Sequence, residues 1–336
     1  FQLSFWGTRR GPERRLVEAA GIPFRATPAG KLRRYWDVRN IVDVVVVIWA
    51  FMVAFARLLR WRPDIVVGAG SFVQVPVCGA AWLLRVPVLI HQQDVRPGLA
   101  NRLVAPCAAV ITAVFPESRG AFGRRAVEVV GNPVRRAVLA GRDVDAAAAR
   151  RRFTLDPALP TSVVLGGGTG SAALNALVRG ALPTLTPYAN VLHVTGKGKG
   201  ESEIANDEFR IANYRAFEFL TDGLPDAYAA ADLVIARAGM GTITEIVALG
   251  KAAVLIPMPG THQEENAAAV VTHGGAVMWD QRARTPDQFA SDVRALLRDS
   301  PPLDALRHRS ATAFPVSGVA AILADRIRSA ARTRQR

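Results

Sequence analysis

The sequence predicts an α/β fold of two doubly wound parallel sheets, and three observations carry that expectation. Short apolar segments of strand length alternate with helical segments along most of the chain, the pattern of parallel sheets covered by helices. Glycine-rich turns follow several of the strands, at the positions where such sheets bind ligands. The alternation is interrupted once, across residues 132–160, before a new first strand begins. At 336 residues the chain is long enough for two domains with a core each.

Taken in order, the expected strands are 3–6, 65–67, 86–90, 110–112, 163–165, 191–194, 233–236 and 253–256. Each is a short apolar run, as strands buried on both faces require. Helices are expected at 12–20, 74–84, 97–105, 171–180, 224–230, 241–249 and 263–273. Residues 131–135 (Gly-Asn-Pro-Val-Arg), an Ala/Arg-rich stretch, and Pro157 and Pro160 mark the boundary. The expected division is an N-terminal domain over 1–135, a linker over 136–159, a C-terminal domain over 160–315 and a helix with a basic tail over 316–336.

Composition narrows the function classes. Half of the residues are apolar and 21% are charged, which is globular rather than disordered. A net charge of +14 calls for an anionic partner: a membrane surface, nucleic acid or a phosphorylated substrate. Arginine-rich coding alone could produce part of that excess. The basic residues lack interleaved aromatic platforms, so nucleic acid is not expected. Cys78 and Cys107 offer neither a disulfide framework nor metal spacing, which suits a reducing cytosol.

Segment 44–56 is an unbroken apolar run of 13 residues, preceded by Asp43 and followed by Arg57, Arg60 and Arg62. As a helix it is about 20 Å long at ~1.5 Å per residue, short of a hydrocarbon core about 30 Å thick. It is therefore expected to dip into a membrane interface rather than span it. Arg9, Arg10, Arg14, Arg15, Lys31, Arg33, Arg34 and Arg39 would add attraction to anionic headgroups. The competing reading is a buried core helix ringed by solvated arginines.

The most informative stretch is 231–266. A strand runs into Arg237-Ala238-Gly239-Met240-Gly241-Thr242, a helix starts, and Glu245 lies one turn inside it. A second strand leads through a Pro-Gly loop to His262-Gln263-Glu264-Glu265-Asn266. Strand, glycine loop and helix together offer free N–H groups to an anion at the positive end of a helix dipole. The carboxylate and carboxamides beyond suit the vicinal hydroxyls of a sugar better than a metal. The reading is a nucleotide-sugar pocket.

A second glycine loop, 166–170, tests the competing motifs by spacing. Counted from Gly166, the sixth position of a dinucleotide fingerprint is Ser171, and the next strand ends at Val194 without an acid. Neither Gly196-Lys197 nor Gly198-Lys199 has the glycine five residues earlier, or the following hydroxyl, that a P-loop needs. Nicotinamide and P-loop chemistry are both disfavoured. Glycines used only for tight strand–helix packing remain an alternative for this loop. In a third cluster, Gly68, Gly70 and Ser71 follow one strand while His91-Gln92-Gln93-Asp94 ends another, so both strand ends aim polar groups at one face.

Segments 68–76, 91–101, 131–135, 166–175, 195–199, 219–220, 237–245 and 263–266, in that order, resemble the MurG-type glycosyltransferases of family 28 over about residues 1–330. The resemblance implies a GT-B fold: two Rossmann-like domains, the C-terminal one binding UDP-sugar, with the last helix crossing back. It implies inverting transfer of N-acetylglucosamine from UDP-GlcNAc to the C4 hydroxyl of undecaprenyl-diphosphate-linked MurNAc-pentapeptide (lipid I), giving lipid II. It further implies no cofactor, no metal and a peripheral place on the cytoplasmic face of the cell membrane. By the same resemblance, Phe219 and Leu220 hold uracil, and Glu245 accepts the ribose hydroxyls. Met240, Gly241, Thr242, Ile243 and Thr244 form the loop and helix start around ribose and diphosphate. Arg135, Gly168 and Thr169 face the donor phosphates, while Asp94, His262, Gln263 and Asn266 face the sugar. Ser71, His91 and Asn101 fall on the acceptor side.

The sequence departs from the family pattern in places. Gly168 stands where the family has serine, and the family's His-Glu-Gln-Asn reads His91-Gln92-Gln93-Asp94. Residues 1–8 match the family's second strand, so the family's opening strand and glycine loop with its histidine, a candidate catalytic base, are expected to be absent here. The catalytic base is therefore unassigned, and donor binding is expected to exceed transfer. Two rivals stay open: a related enzyme using another lipid acceptor such as diacylglycerol, and a non-catalytic UDP-sugar-binding protein.

Overall fold

A computed structural model describes residues 1–11, 13–28, 39–168, 170–199 and 211–332, apart from the side chains of 39–43 and 300. Lys31, Arg33 and Arg34 and the side chains of Arg39 and Asp43 lie outside the described residues. The chain forms two compact units, Phe1–Val130 with Ala320–Arg336, and Gly131–Val319.

The first unit runs β1 (Phe5–Gly7), α1 (Glu13–Ala19), β2 (Phe24–Ala26), α2 (Arg39–Trp61), β3 (Val66–Gly68), α3 (Gln74–Leu83), β4 (Val88–Gln92), α4 (Leu99–Val104), β5 (Val110–Ala113) and β6 (Glu128–Val129). Strands β3-β4-β5-β6 make one parallel sheet, while β1 and β2 pair only with each other. Among the described residues no ladder joins β1 or β2 to β3. The core gathers Val88, Ile90 and Ile111 from the sheet with Val77, Cys78 and Ala81 of α3 and Ala54 and Leu58 of α2. Burial pushes the Cys78 thiol up to about 12, which leaves it unreactive.

The apolar run at 44–56 is part of a longer helix than expected. Helix α2 has 23 residues, about 34 Å at ~1.5 Å per residue. By length and composition alone, Val44–Trp61 suffices to cross a membrane, which corrects the expectation of too short a segment. The apolar run was counted only to its first charge, but Arg57 does not end the helix. Its guanidinium donates to the Ala26 carbonyl and lies over the Trp6 ring. Helix α2 carries two apolar faces. Ala50, Ala54 and Leu58 are buried at a spacing of four, and Phe51 lies against Gly79 of α3. Val45, Ile48, Trp49, Met52 and Leu59 form a second, exposed stripe at helical spacing.

In the second unit, the segment 136–159, expected as a linker, is folded and carries α5 (Arg136–Leu139) and α6 (Ala146–Arg152). There follow β7 (Thr161–Leu165), α7 (Ala172–Leu185), β8 (Asn190–Val194), β9 (Tyr214–Phe217), α8 (Leu224–Ala230), β10 (Leu233–Ala236), α9 (Met240–Leu249), β11 (Ala252–Leu255), α10 (His262–Thr272), β12 (Val277–Met278), α11 (Pro286–Arg298) and α12 (Ser300–Ser310). The sheet is parallel throughout, in the order β12-β11-β10-β7-β8-β9. Strands β7, β10 and β11 are buried at every residue, as strands covered on both faces must be. On α7, Leu174, Leu177, Val178, Ala181, Leu182 and Leu185 form the inward stripe and pack with Phe289, Ala290 and Val293 of α11. At the start of this unit Gly131 has a positive φ of 86°, and a Cβ there would lie 1.9 Å from the Pro315 carbonyl oxygen. Only glycine allows that approach.

A final helix, α13 (Val319–Arg332), groups with the first unit from Ala320 onward, where Arg326 pairs with Glu128 and Arg328 lies over Phe1.

His193 is fully buried in β8, bonded to Tyr214 of β9 and to Asn175 of α7, both at 3.1 Å. Burial first, and the Arg179 charge second, push its imidazole from 6.5 down to about 4. The folded state thus resists protonation that the unfolded chain accepts. The stability is complete above pH 6.5 and is lost as the pH falls toward 4. By linkage the loss reaches about 3 kcal/mol. Urea unfolding between pH 7 and 4 should show this decline in the wild type and a flatter one in His193→Gln.

Candidate functional site

Because every strand of the second sheet is parallel, all its strands end on one side. The loops after β7, β8, β9, β10 and β11 therefore share the carboxyl edge, and the strand order turns back between β7 and β10, the usual place for a ligand crevice. The loops on either side of that turn hold the two glycine clusters. A Cβ placed on Gly168, Gly239 or Gly241 would meet no atom within 4 Å, whereas one on Gly170 would lie 2.2 Å from the Thr195 carbonyl. Gly170 serves packing; Gly168, Gly239 and Gly241 leave open space in front of the backbone. Thr169 lies outside the described residues.

Helix α9 starts at this edge after Gly239, with no side-chain cap. Its neighbours differ: Ser171 caps α7 and Thr261 caps α10. The first N–H groups of α9 before Ile243 have no intrahelical acceptor, and Ile243 itself donates to Gly239 at 3.0 Å. The chemistry this supports is anion binding by backbone donors. Inside α9, Met240, Ile243, Thr244 and Glu245 are buried, Gly241 is exposed and Thr242 is half-buried.

The segment 131–135 docks on α9 through two side chains one residue apart in the helix. Asn132 donates to the Thr244 hydroxyl at 2.6 Å, and that hydroxyl donates to the Met240 carbonyl. Arg135 donates to Glu245 Oε1 from Nη2 at 2.6 Å and from Nε at 3.2 Å. Glu245 Oε2 accepts from the Tyr228 hydroxyl at 2.8 Å. The Arg135 side chain is 65% exposed, so as a stabilising ion pair it counts for little, about 0.2–1 kcal/mol.

Arg237, at the end of β10, is 5% exposed and does not face the open space as a charge carrier would. Its guanidinium donates to Ser171 Oγ, to the carbonyls of Ile256 and Pro257 at 2.9 and 3.0 Å, and to Gln281 Oε1 at 2.6 Å. It fastens together the loops that follow β7, β10, β11 and β12. Burial lowers its pKa. Beyond β11, Gln263 Oε1 accepts from the Met258 amide at 3.0 Å, and buried Asn266 donates to the Ala238 carbonyl at 3.3 Å. His262 is exposed. Beyond β9, Phe219 is 59% exposed and Leu220 half-buried.

The remaining predicted residues belong to the first unit. Ser71 is exposed and Asp94 half-buried. His91 and Asn101 are buried instead. His91 Nδ1 is 2.9 Å from the Thr112 hydroxyl, and Asn101 joins a chain of side-chain bonds from Gln74 to Gln92. Gln92 continues it to the Asp94 carbonyl at 2.6 Å. Through Gln74 and Gln92, Asn101 thus links the loops that carry Ser71 and Asp94, while His91 ties β4 to β5.

Comparison with known proteins follows the same division. The family models for the N-terminal and C-terminal domains of glycosyltransferase family 28 match residues 2–113 and 161–320. A UDP-N-acetylglucosamine–N-acetylmuramyl-(pentapeptide) pyrophosphoryl-undecaprenol N-acetylglucosamine transferase from Bacillus cereus is 37% identical over 262 residues, covering 77% of this chain and 71% of that protein. The chain belongs to the MurG-type glycosyltransferases of family 28. A counterpart from Shouchella clausii is 34% identical over 304 residues, 88% of this chain and 83% of its own. The crystal structure of Acinetobacter baumannii MurG aligns with a TM-score of 0.75 at 26% identity, covering 98% of this chain and 91% of that one. The fold of this MurG-type chain is GT-B.

Sequence reasoning missed Tyr228, Asn132, Ser171 and Gln281. Of these only Ser171 left a signal, a hydroxyl residue at the cap position before an apolar helix. Arg237→Met should test the fastening. It leaves one hydroxyl, two carbonyls and a carboxamide without their donor, a loss of about 2–4 kcal/mol. Scanning calorimetry should show a clearly lower unfolding temperature; a wild-type value would mean the guanidinium fastens nothing.

Proposed function

We propose that this glycosyltransferase moves N-acetylglucosamine from UDP-GlcNAc to the C4 hydroxyl of the undecaprenyl-diphosphate-linked MurNAc-pentapeptide, forming lipid II. The observation that carries the reading is the uncapped N-terminus of α9 with Glu245 one turn behind it, within a chain 37% identical to a transferase of that specificity. Other lipid acceptors and a purely binding role have no comparable support.

In this reading the amides of Met240, Gly241 and Thr242, with Gly168, meet the diphosphate. Glu245 accepts hydrogen bonds from the ribose 2′ and 3′ hydroxyls. Phe219 and the backbone of Leu220 hold uracil, while Gln263, His262 and Asn266 hold the sugar. Arg135 reaches α9 from an exposed position, so its guanidinium is free to turn from the carboxylate to the phosphates. During transfer the acceptor oxygen attacks the anomeric carbon as the bond to UDP breaks on the opposite face, and a base takes the hydroxyl proton. Negative charge then grows on the leaving diphosphate, where the helix N-terminus and Arg135 stabilise it.

The lipid acceptor requires a membrane-facing surface. The exposed stripe of α2, Val45, Ile48, Trp49, Met52 and Leu59, is suited to lie in the interface. Exposed Arg9, Arg10, Arg15, Arg60 and Arg62 supply attraction to anionic lipid.

Three measurements test these assignments. In calorimetry, Glu245→Ala should weaken UDP-GlcNAc binding about tenfold or more, the scale of lost bonds to a charged group, with the fold retained. Unchanged affinity would remove the ribose role. In sedimentation with anionic vesicles, the wild type should bind and release as salt rises, and Ile48→Asp should bind much less. Binding that is absent, or indifferent to salt, would sink the membrane reading. Turnover with lipid I against diacylglycerol decides the acceptor.

A further inference from the structure

Tyr228 lies on α8, fully buried, in a helix whose other buried residues are alanines. Its ring fills core space that a phenylalanine would fill equally well. The hydroxyl does something else: it donates to Glu245 Oε2 at 2.8 Å across the gap between α8 and α9. A buried phenol needs a partner, and this one has taken the carboxylate assigned to the ribose. Burial, then the neighbouring Glu245 charge, raise the phenol well above its ordinary range, so it stays a donor.

A glutamate on a helix has three side-chain torsions, and ordering such a chain costs about 1–2 kcal/mol of rotamer entropy. A carboxylate held only from the solvent side would have to be ordered by its ligand. Here Oε2 is anchored from the core, and Oε1 is turned to the side from which Arg135 donates. The two oxygens are thereby given different tasks. The inner one fixes the plane of the carboxylate and the outer edge is presented.

We propose that Tyr228 is a positioning residue for donor recognition, its hydroxyl orienting the Glu245 carboxylate so that its outer edge reads the ribose diol. The proposal rests on the ribose reading of Glu245. The orientation is set before the donor arrives, which lowers what binding must spend on ordering the site. It also gives selectivity for a ribose over a deoxyribose, since a fixed carboxylate facing one hydroxyl too few loses a bond it cannot recover by turning.

The test is calorimetric binding of UDP and of 2′-deoxy-UDP to the full chain in wild type, Tyr228→Phe, Glu245→Ala and the double variant. Tyr228→Phe should weaken UDP about tenfold, on the scale of one charged hydrogen bond, and 2′-deoxy-UDP less than about twofold, so the preference for ribose shrinks. In the Glu245→Ala background the same change should have no further effect, because Tyr228 acts only through that carboxylate. A merely structural tyrosine would weaken both ligands equally, or add its loss to that of Glu245→Ala, and either result overturns the proposal. If Glu245→Ala abolishes the ribose preference while Tyr228→Phe keeps it, the ribose reading stands and the positioning role falls. If the wild type shows no ribose preference and Glu245→Ala binds UDP normally, the ribose reading itself falls. Should Tyr228→Phe not fold, Glu245→Asp withdraws the carboxylate from an intact Tyr228. Wild-type ribose preference in Glu245→Asp would overturn the proposal, and a reduced one would support it.

Discussion

The second unit is organised around a buried positive charge that, among the described residues, has no carboxylate for a partner. The guanidinium of Arg237 spends its donors on a hydroxyl, two main-chain carbonyls and a carboxamide, taken from three loops besides its own. A buried cation is tolerated only when its donors are satisfied, so the loops cannot separate without stranding it. Arg237 is also the first residue after β10, three before the start of α9. The same group that ties the carboxyl edge together therefore sets where the free amides of α9 begin. Its charge is not cancelled locally, and it adds to the helix dipole in making this edge attractive to anions.

The opposite edge of the same sheet is built on the reverse principle. Asp232, just before β10, accepts from Arg150 of α6 at 2.6 Å, from Arg307 of α12 at 3.1 Å and from the Thr161 amide at 2.8 Å. Nearby Lys251 is driven down to about 8 by burial, against the pull of Asp232. Here carboxylate and cations close on one another and on the backbone. One end of the sheet is knitted shut by ion pairs; at the other, backbone donors are left facing outward. The division between stability and chemistry runs along the strand axis.

Much of this was legible in the sequence because the central strands are covered on both faces and read as unbroken apolar runs. The strands that escaped, β2, β6, β9 and β12, are two to four residues long and only partly buried. Glu245 was legible because it sits a fixed distance behind a glycine turn. Tyr228 was not, since its link to Glu245 depends on how α8 and α9 pack, and the Asn132–Thr244 bond joins residues 112 positions apart. For buried His91 and Asn101, a sequence does not show which strands and loops their side chains tie together. The extent of α2 was misjudged because charge was taken as its end, whereas Arg57 finds a carbonyl and an aromatic ring without leaving the helix.

The two faces of α2 answer to different demands. Inward, small residues at 50 and 54 and Gly79 opposite Phe51 permit close helix packing, and added bulk there would disturb a filled core. Outward, Ile48 and Trp49 contribute surface and no core, at 58% and 62% exposure. In plain buffer such a stripe offers copies of the chain a surface through which to adhere. Polar replacements along it would yield a better-behaved protein at no expense to the fold, with the donor half of the enzyme intact for biochemistry.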